Sequence, residues 1–266
     1  MVLITMTNAI LQSIDNRSSA ISTRRCPADV NKTISLADFE RSEFLTHAQA
    51  LNQFGRQLWW NRVAYAVNGA LRMRFRGIRW NKLWEYSRGL AYGDFRPGMR
   101  VLDFGGGATI PLFWLAKNGC EVLSLEVDEK LTAHTNAVAQ QNGWKLKGLT
   151  FDLTQNEAPH DWQLFDRVMS FCVIEHIPKA GQQKALTRLA AQLKPGGLLA
   201  LTFDFGENAP VEGAVRSTEE VVRMIAVSGL TPLGDGNFHD TGERFPIDKK
   251  YPGHQFTFGS LFLQKS

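Results

Sequence analysis

The sequence predicts an α/β protein built on a doubly wound, mostly parallel sheet, and three observations carry that reading. The apolar run Val101-Leu102-Asp103-Phe104 enters a turn of three glycines, Gly105-Gly106-Gly107, followed by the helix-like stretch Ala108 to Ala116. A second apolar run, Glu121 to Glu126, ends in a carboxylate 21 positions after Gly105. From about Arg100 onward, strand and helix patterns alternate, which calls for parallel strands joined by helical crossovers. Glycines let the backbone approach a ligand closely at the carboxyl end of a strand, where an open α/β sheet has its crevice. An acid roughly 20 residues further on is placed to grip ribose hydroxyls.

A nicotinamide dinucleotide would ask for the same two features, so the loop itself must discriminate. The G-x-G-x-x-G pattern needs a small residue at position 110, and Ile110 stands there, which keeps the helix from packing closely on the first strand. Asp103, two residues before the first glycine, would repel a pyrophosphate but not a cationic ligand. S-adenosylmethionine (SAM), with a sulfonium, an ammonium and no phosphate, satisfies both conditions. Here the chain resembles the class I SAM-dependent methyltransferases, whose first motif reads much like VLDFGGG. The resemblance runs from about Arg100 to Leu201. Phe151-Asp152-Leu153 follows the third strand, Phe165 to Pro178 resembles the fourth strand with an "EHIP" turn, and Leu193-Lys194-Pro195-Gly196-Gly197 resembles the turn into the fifth. It implies a Rossmann-like, seven-stranded sheet with an antiparallel last strand, which Gln255 to Leu263 would supply.

Organisation falls into three parts. Residues 1–35, rich in Ser, Thr and Asn, read as a mobile leader. Residues 36–98 carry apolar positions at helical spacing, with Leu45, Ala48, Leu51, Leu58, Val63 and Val67 expected to face inward. Two or three helices are expected there, as a lid or substrate region. Residues 99–266 form the SAM-binding core. Within it, Ser217-Thr218-Glu219-Glu220 reads as a capping box opening a helix that ends near Gly229.

The length of 266 residues suits a core with an appendage. No apolar run is long enough to span a membrane, and the first 20 residues lack the pattern of a secretory signal, so a cytoplasmic protein is expected. Three scattered cysteines, Cys26, Cys120 and Cys172, speak for reduced thiols rather than a disulfide framework. The net charge of +4 hides an asymmetry, because Arg56 to Arg100 holds ten basic residues against Glu85 and Asp94. Arg72, Arg74, Arg76, Arg79 and Lys82 are interleaved with Met73, Phe75, Trp80 and Trp84. Such a stretch suits an acidic substrate, a nucleic acid or an anionic membrane surface, and equally a solvated helix face over buried tryptophans. Lys82-Leu83-Trp84-Glu85-Tyr86 resembles a "KxWEY" segment upstream of the glycine motif in some small-molecule methyltransferases. That resemblance implies cofactor contact or a pocket roof from Trp84, Glu85 or Tyr86.

By resemblance, Gly105, Gly106 and Gly107 border the methionine part of SAM, with Asp103 orienting it through the loop. Glu126 accepts the ribose hydroxyls, where the family more often has Asp. Asp152 takes the adenine amine, while Val127, Leu153 and Phe171 enclose the ring, ordinary core being the competing reading for the apolar three. His176, after the fourth strand, is the candidate general base, and a structural Glu-His turn is the alternative. His239, Tyr251 and His254 precede the last strand and read as surface or substrate-loop residues. Cys172, Glu175 and His176 keep the spacing of a metal-binding E-x-x-E-H segment, but a thiol is a poor ligand for magnesium, and no metal requirement is expected. The sequence therefore predicts methyl transfer to a hydroxyl, carboxylate or amine of a small molecule, and the basic stretch suits an acidic one. An RNA methyltransferase using residues 72–82 and a non-catalytic partner subunit are the alternatives, with nucleic acid the less favoured partner. The sequence does not indicate the oligomeric state.

Overall fold

The computed structural model describes residues 26–246 and 252–266, so most of the leader and Tyr251 lie outside the described residues. The core strands are β4 (Arg100–Phe104), β5 (Glu121–Glu126), β6 (Leu146–Thr150), β7 (Phe165–Phe171), β8 (Leu193–Phe205) and β10 (Thr257–Gln264). Three short strands precede them, β1 (Lys32–Thr33), β2 (Tyr65–Val67) and β3 (Ala70–Arg72), and β9 (Thr231–Pro232) lies between β8 and β10. The helices are α1 (Ser42–Trp60), α2 (Trp80–Tyr92), α3 (Ile110–Lys117), α4 (Glu129–Asn142), α5 (Lys179–Ala191) and α6 (Thr218–Ser228). The sheet runs β1-β10-β8-β7-β4-β5-β6, with β9 also on β10. Strands β4 to β8 pair in parallel, and β10 runs antiparallel to β8.

This is the predicted doubly wound sheet with an antiparallel last strand. Its eight strands against the expected seven have a local cause. β9 ends at Pro232, which has no N–H to donate to a ladder, and covers only Leu263 and Gln264 of β10. β1 takes over the same edge opposite Ser260 and Gly259. Asn31 spans the gap between them: its Oδ1 accepts from Phe262 N at 2.7 Å and its Nδ2 donates to the Leu233 carbonyl at 2.8 Å. The final residues assigned to the leader are thus part of the sheet.

Two apolar layers cover the faces. One joins Leu51, Phe54 and Leu58 of α1 to Leu112, Phe113 and Leu115 of α3 and Val138 of α4. The other joins Leu186 and Leu189 of α5 and Val221 and Met224 of α6 to β7 and β8. Of the expected inward positions, Ala48, Leu51, Leu58 and Val63 are buried, and Leu45 and Val67 are half-buried. Helix α6 begins and ends as predicted. Ser217 Oγ caps Glu220 N, and Gly229 closes the helix at φ +65°. Only half of the capping box forms, because Glu220 accepts from Arg216 N and pairs with Lys179 instead.

α2 is anchored by a buried charge network. Asp38 meets Lys32 Nζ at 2.7 Å and accepts from Trp84 Nε1 at 3.0 Å, while Arg88 donates to Ser260 Oγ at 2.8 Å and to the Val30 carbonyl. The hairpin of β2 and β3, not foreseen in the sequence, follows α1.

Candidate active site

The chain order reverses between β4 and β7, with β5 and β6 on one side and β8 and β10 on the other. The crevice of such a sheet opens at the carboxyl ends of those two strands, and the glycine turn lies there. Gly105 has φ +77°, and a Cβ on it would sit 2.5 Å from Val173, in the turn after β7. Only glycine therefore permits this approach of the two crevice walls. Asp103 lies beneath the turn. It accepts from Ser124 Oγ at 2.7 Å, and a Cβ on Gly106 would meet its carboxylate at 2.3 Å. Burial raises its pKa to about 7, against the opposing hydrogen bond from Ser124. The carboxylate thus supports the turn from below, through which its charge acts.

Glu126, at the end of β5, is bound on both oxygens. Oε2 accepts from Gly107 N at 3.3 Å, and Oε1 from Val127 N at 2.8 Å and Asp128 N at 3.2 Å. These three amides hold the side chain against the glycine turn while lone pairs remain for a ligand. Asp128, two positions further on, caps α4, accepting from Lys130 N and Leu131 N. Phe151 N donates to the Glu126 carbonyl, so Asp152 leaves β6 beside Glu126. Its Oδ1 is engaged by Thr154 N and Thr154 Oγ1.

Not every predicted site residue joins this group. Val127 is exposed, whereas Leu153 is fully buried in the layer under α5 and α6. Phe171 belongs to the opposite layer, packed where a Cβ on Gly89 of α2 would fall 2.3 Å from its ring. Leu153 and Phe171 thus stand on different faces of the sheet. Trp84 has no exposed surface and donates its N–H to Asp38, which makes it part of the α2 anchor. Tyr86 is half-buried, 6.4 Å from Phe171 between ring centroids, and is influenced by both Lys82 and Asp103. His239 contacts Asp235 and His254 contacts the Asn208 carbonyl, both at exposed positions.

Three acids adjoin the turn on the β7 and β8 side, of which the sequence singled out Glu85 and Glu175 but not Asp204. Glu85 of α2 accepts from Thr202 Oγ1 at 3.0 Å and faces Lys82 Nζ at 3.2 Å. Glu175 is buried, and its Oε2 has no hydrogen-bond partner among the described residues. Asp204, near the end of β8, interacts with Glu175, Lys82 and Glu85. Burial raises Asp204 to about 7 although Lys82 opposes the rise, and burial with the Asp204 charge raises Glu175 well above the usual carboxylate range. His176 is exposed beside Glu175, its pKa lowered by partial burial and by Lys82. One sequence-level hint was the Lys82 to Tyr86 segment. The structure adds another: Ala108 (φ +56°) and Cys172 (φ +58°) are non-glycine residues in left-handed backbone at the two crevice loops, strain that concentrates at functional sites.

Residues 101–197 match the family model described as "Methyltransferase domain". Over that segment the chain is similar to methyltransferase domains. The donor set around the glycine turn fits the S-adenosylmethionine that the sequence leads one to expect: an acid with free lone pairs beside a close-approach backbone. A curated relative, an uncharacterized protein of Haemophilus influenzae, is 28% identical over 157 residues, which are 58% of this chain and 62% of the relative. The methyltransferase fold recurs in solved structures. A [4+2]-cyclase superposes at a TM-score of 0.56 with 15% identity, over 82% of this chain and 96% of that one. Magnesium protoporphyrin IX methyltransferase from Synechocystis PCC 6803, with bound SAM, superposes at 0.51 with 17% identity, over 85% and 98%.

Proposed function

We propose that the chain transfers a methyl group from SAM to an amine or hydroxyl of a small molecule, with the acceptor lying over the ends of β7 and β8. The observation that carries this reading is the pairing of two unlike sites on one crevice. The Gly105 to Gly107 turn with Glu126 suits the donor, and the buried acids Glu85, Glu175 and Asp204 face the side from which an acceptor would approach.

Methyl transfer moves positive charge. The sulfonium becomes a neutral thioether as the S–C bond breaks, and the charge passes to the acceptor atom as the new bond forms. Carboxylates fixed beside that atom stabilise the developing charge without reorganising. The Asp204 and Glu175 pair then takes the acceptor's proton, so that a neutral methylated product leaves. His176, kept neutral by its lowered pKa, stands at the exposed side to pass the proton to water. An anionic carboxylate acceptor would be repelled here, so of the three acceptor groups the sequence allows, amine and hydroxyl fit best. An acidic acceptor fits less well, because the arginines of residues 72–79 are exposed and, of these four, Arg79 is the one that acts on Glu85.

The chain spans 62% of the curated relative's length, and one structural neighbour is described as a cyclase. That neighbour favours keeping a second reading, a SAM-type fold used without methyl transfer. Calorimetric titration with SAM, its demethylated product and NAD, followed by transfer of labelled methyl to panels of amines, alcohols and carboxylates, separates the two. The expected result is micromolar binding of SAM and product, no NAD signal, label on amines or alcohols, and unchanged turnover in the presence of chelator. Tight binding with no label on any panel supports the second reading. No binding of SAM refutes the first.

A further inference from the structure

The exposed end of α1 and the hairpin that follows it form a surface unlike the rest of the molecule. Four of the eight exposed large apolar side chains among the described residues fall within fifteen positions: Trp59 (42% exposed), Trp60 (80%), Leu71 (41%) and Met73 (55%). The fold gathers them. β2 pairs with β3 so that Tyr65 lies opposite Arg72, and Tyr65 Oη donates to the Arg74 carbonyl at 2.8 Å. The chain then returns to α1 at Phe75, whose ring fills the space beside Gly55, one turn before Trp59.

Arginines surround these residues. Arg56, Arg62, Arg72, Arg74 and Arg76 are all exposed, and none forms an ion pair with another described residue. Between Arg56 and Lys82 the sequence holds no acid at all. A face meant only for solvent would carry both signs of charge and would not expose two adjacent tryptophans. Indole rings settle at the boundary between headgroups and acyl chains, while arginines pair with anionic headgroups.

We propose that the end of α1 and the β2–β3 hairpin dock this protein onto a bilayer containing anionic phospholipid, with Trp60 and Met73 entering the interface and Arg62, Arg72, Arg74 and Arg76 pairing with headgroup phosphates. Docking reaches the active site through the base of the hairpin. Ala66 N donates to the carbonyl of Ala108 in the glycine turn at 2.6 Å, and His134 of α4 contacts the Ala64 carbonyl at 2.8 Å. The donor crevice is thereby held close to the membrane plane. The proposal does not depend on the acceptor being an amine or a hydroxyl.

The test is co-sedimentation of the full chain with phosphatidylcholine vesicles, with and without phosphatidylglycerol, at low and high salt. Binding is expected only to the anionic vesicles and is expected to weaken as salt rises. Charge reversal in Arg72→Glu/Arg74→Glu removes binding, each arginine being worth about fivefold. Trp60→Ala reduces it at unchanged charge. All three side chains are exposed, and circular dichroism with titration of the demethylated cofactor product confirms that each variant is folded. Equal binding to neutral vesicles, or none to either, overturns the proposal. So does tight, salt-sensitive binding of RNA without vesicle binding. Self-association without lipid that is abolished by Trp60→Ala would instead make the patch an interface between copies of the chain.

Discussion

The two halves of the crevice treat their carboxylates in opposite ways. On the donor half, Glu126 is satisfied by three backbone amides and Asp128 is spent as a helix cap. On the acceptor half, Glu85, Glu175 and Asp204 share one lysine, and a Glu175 oxygen has no partner among the described residues. The donor half thus has its acids held by backbone hydrogen bonds. The acceptor half buries three carboxyl groups around one lysine, so that their ionisation is disfavoured by the fold and would be helped by an arriving positive charge.

The largest effect should come from the donor half. Glu126→Ala removes both the ribose acceptor and the anchor for the amides of Gly107, Val127 and Asp128. Affinity for the demethylated product is expected to fall roughly a hundredfold, about 2.7 kcal/mol, in line with the loss of two charge-assisted hydrogen bonds. Calorimetry measures it. An unchanged affinity would mean that the ribose lies elsewhere and that the contrast between the halves is misdrawn.

The acceptor half is tested next by pH. With the proton acceptor at about 7, turnover is expected to rise about tenfold per unit below pH 7 and to level off above it. Asp204→Asn should flatten that limb and lower the plateau, while affinity for the demethylated product stays within about twofold of the parent, a change too small to mark a lost hydrogen bond. A limb unchanged in Asp204→Asn but lost in His176→Gln would move the proton transfer to His176.

Stability sharpens the same contrast. A carboxyl whose pKa is raised in the fold binds its proton more tightly there than in the unfolded chain. Its stabilising contribution is therefore complete below the unfolded value near 4 and is lost as pH rises through about 7. Thermal unfolding should accordingly show a less stable protein at pH 8 than at pH 6. Asp204→Asn should recover about 1 kcal/mol at pH 8 by removing a carboxyl that is ionised there in a buried position. If the variant is less stable at every pH, Asp204 has partners that offset its burial.

Much of the donor half was legible in the sequence because it is local. A strand, its glycine turn and the acid ending the next strand are fixed by consecutive residues and one crossover, and Asp103, Gly105 and Glu126 come together as the spacing implied. The acceptor half is assembled from α2, the turn after β7 and the end of β8. No periodicity relates Glu85 to Glu175 or Asp204, and their convergence depends on how closely α2 packs, which Gly89 against Phe171 decides. The double occupancy of the β10 edge was hidden for a similar reason: it rests on Asn31 bridging segments about 200 positions apart.

The Lys82 to Tyr86 segment is divided between the crevice and the α2 anchor, and it supplies the finest test. Its resemblance implied cofactor contact or a pocket roof from Trp84, Glu85 or Tyr86, and consecutive helical positions point in different directions. Lys82, Glu85 and Tyr86 turn toward the crevice, and Trp84 turns into the anchor formed with Asp38 and Arg88. Trp84→Phe keeps the ring volume largely in place and removes one hydrogen bond to Asp38, which Lys32 still pairs. The expected cost is about 1 kcal/mol of stability, with affinity for the demethylated product unchanged. A loss of affinity at full stability would return Trp84 to the crevice wall and enlarge the donor half at the expense of the anchor.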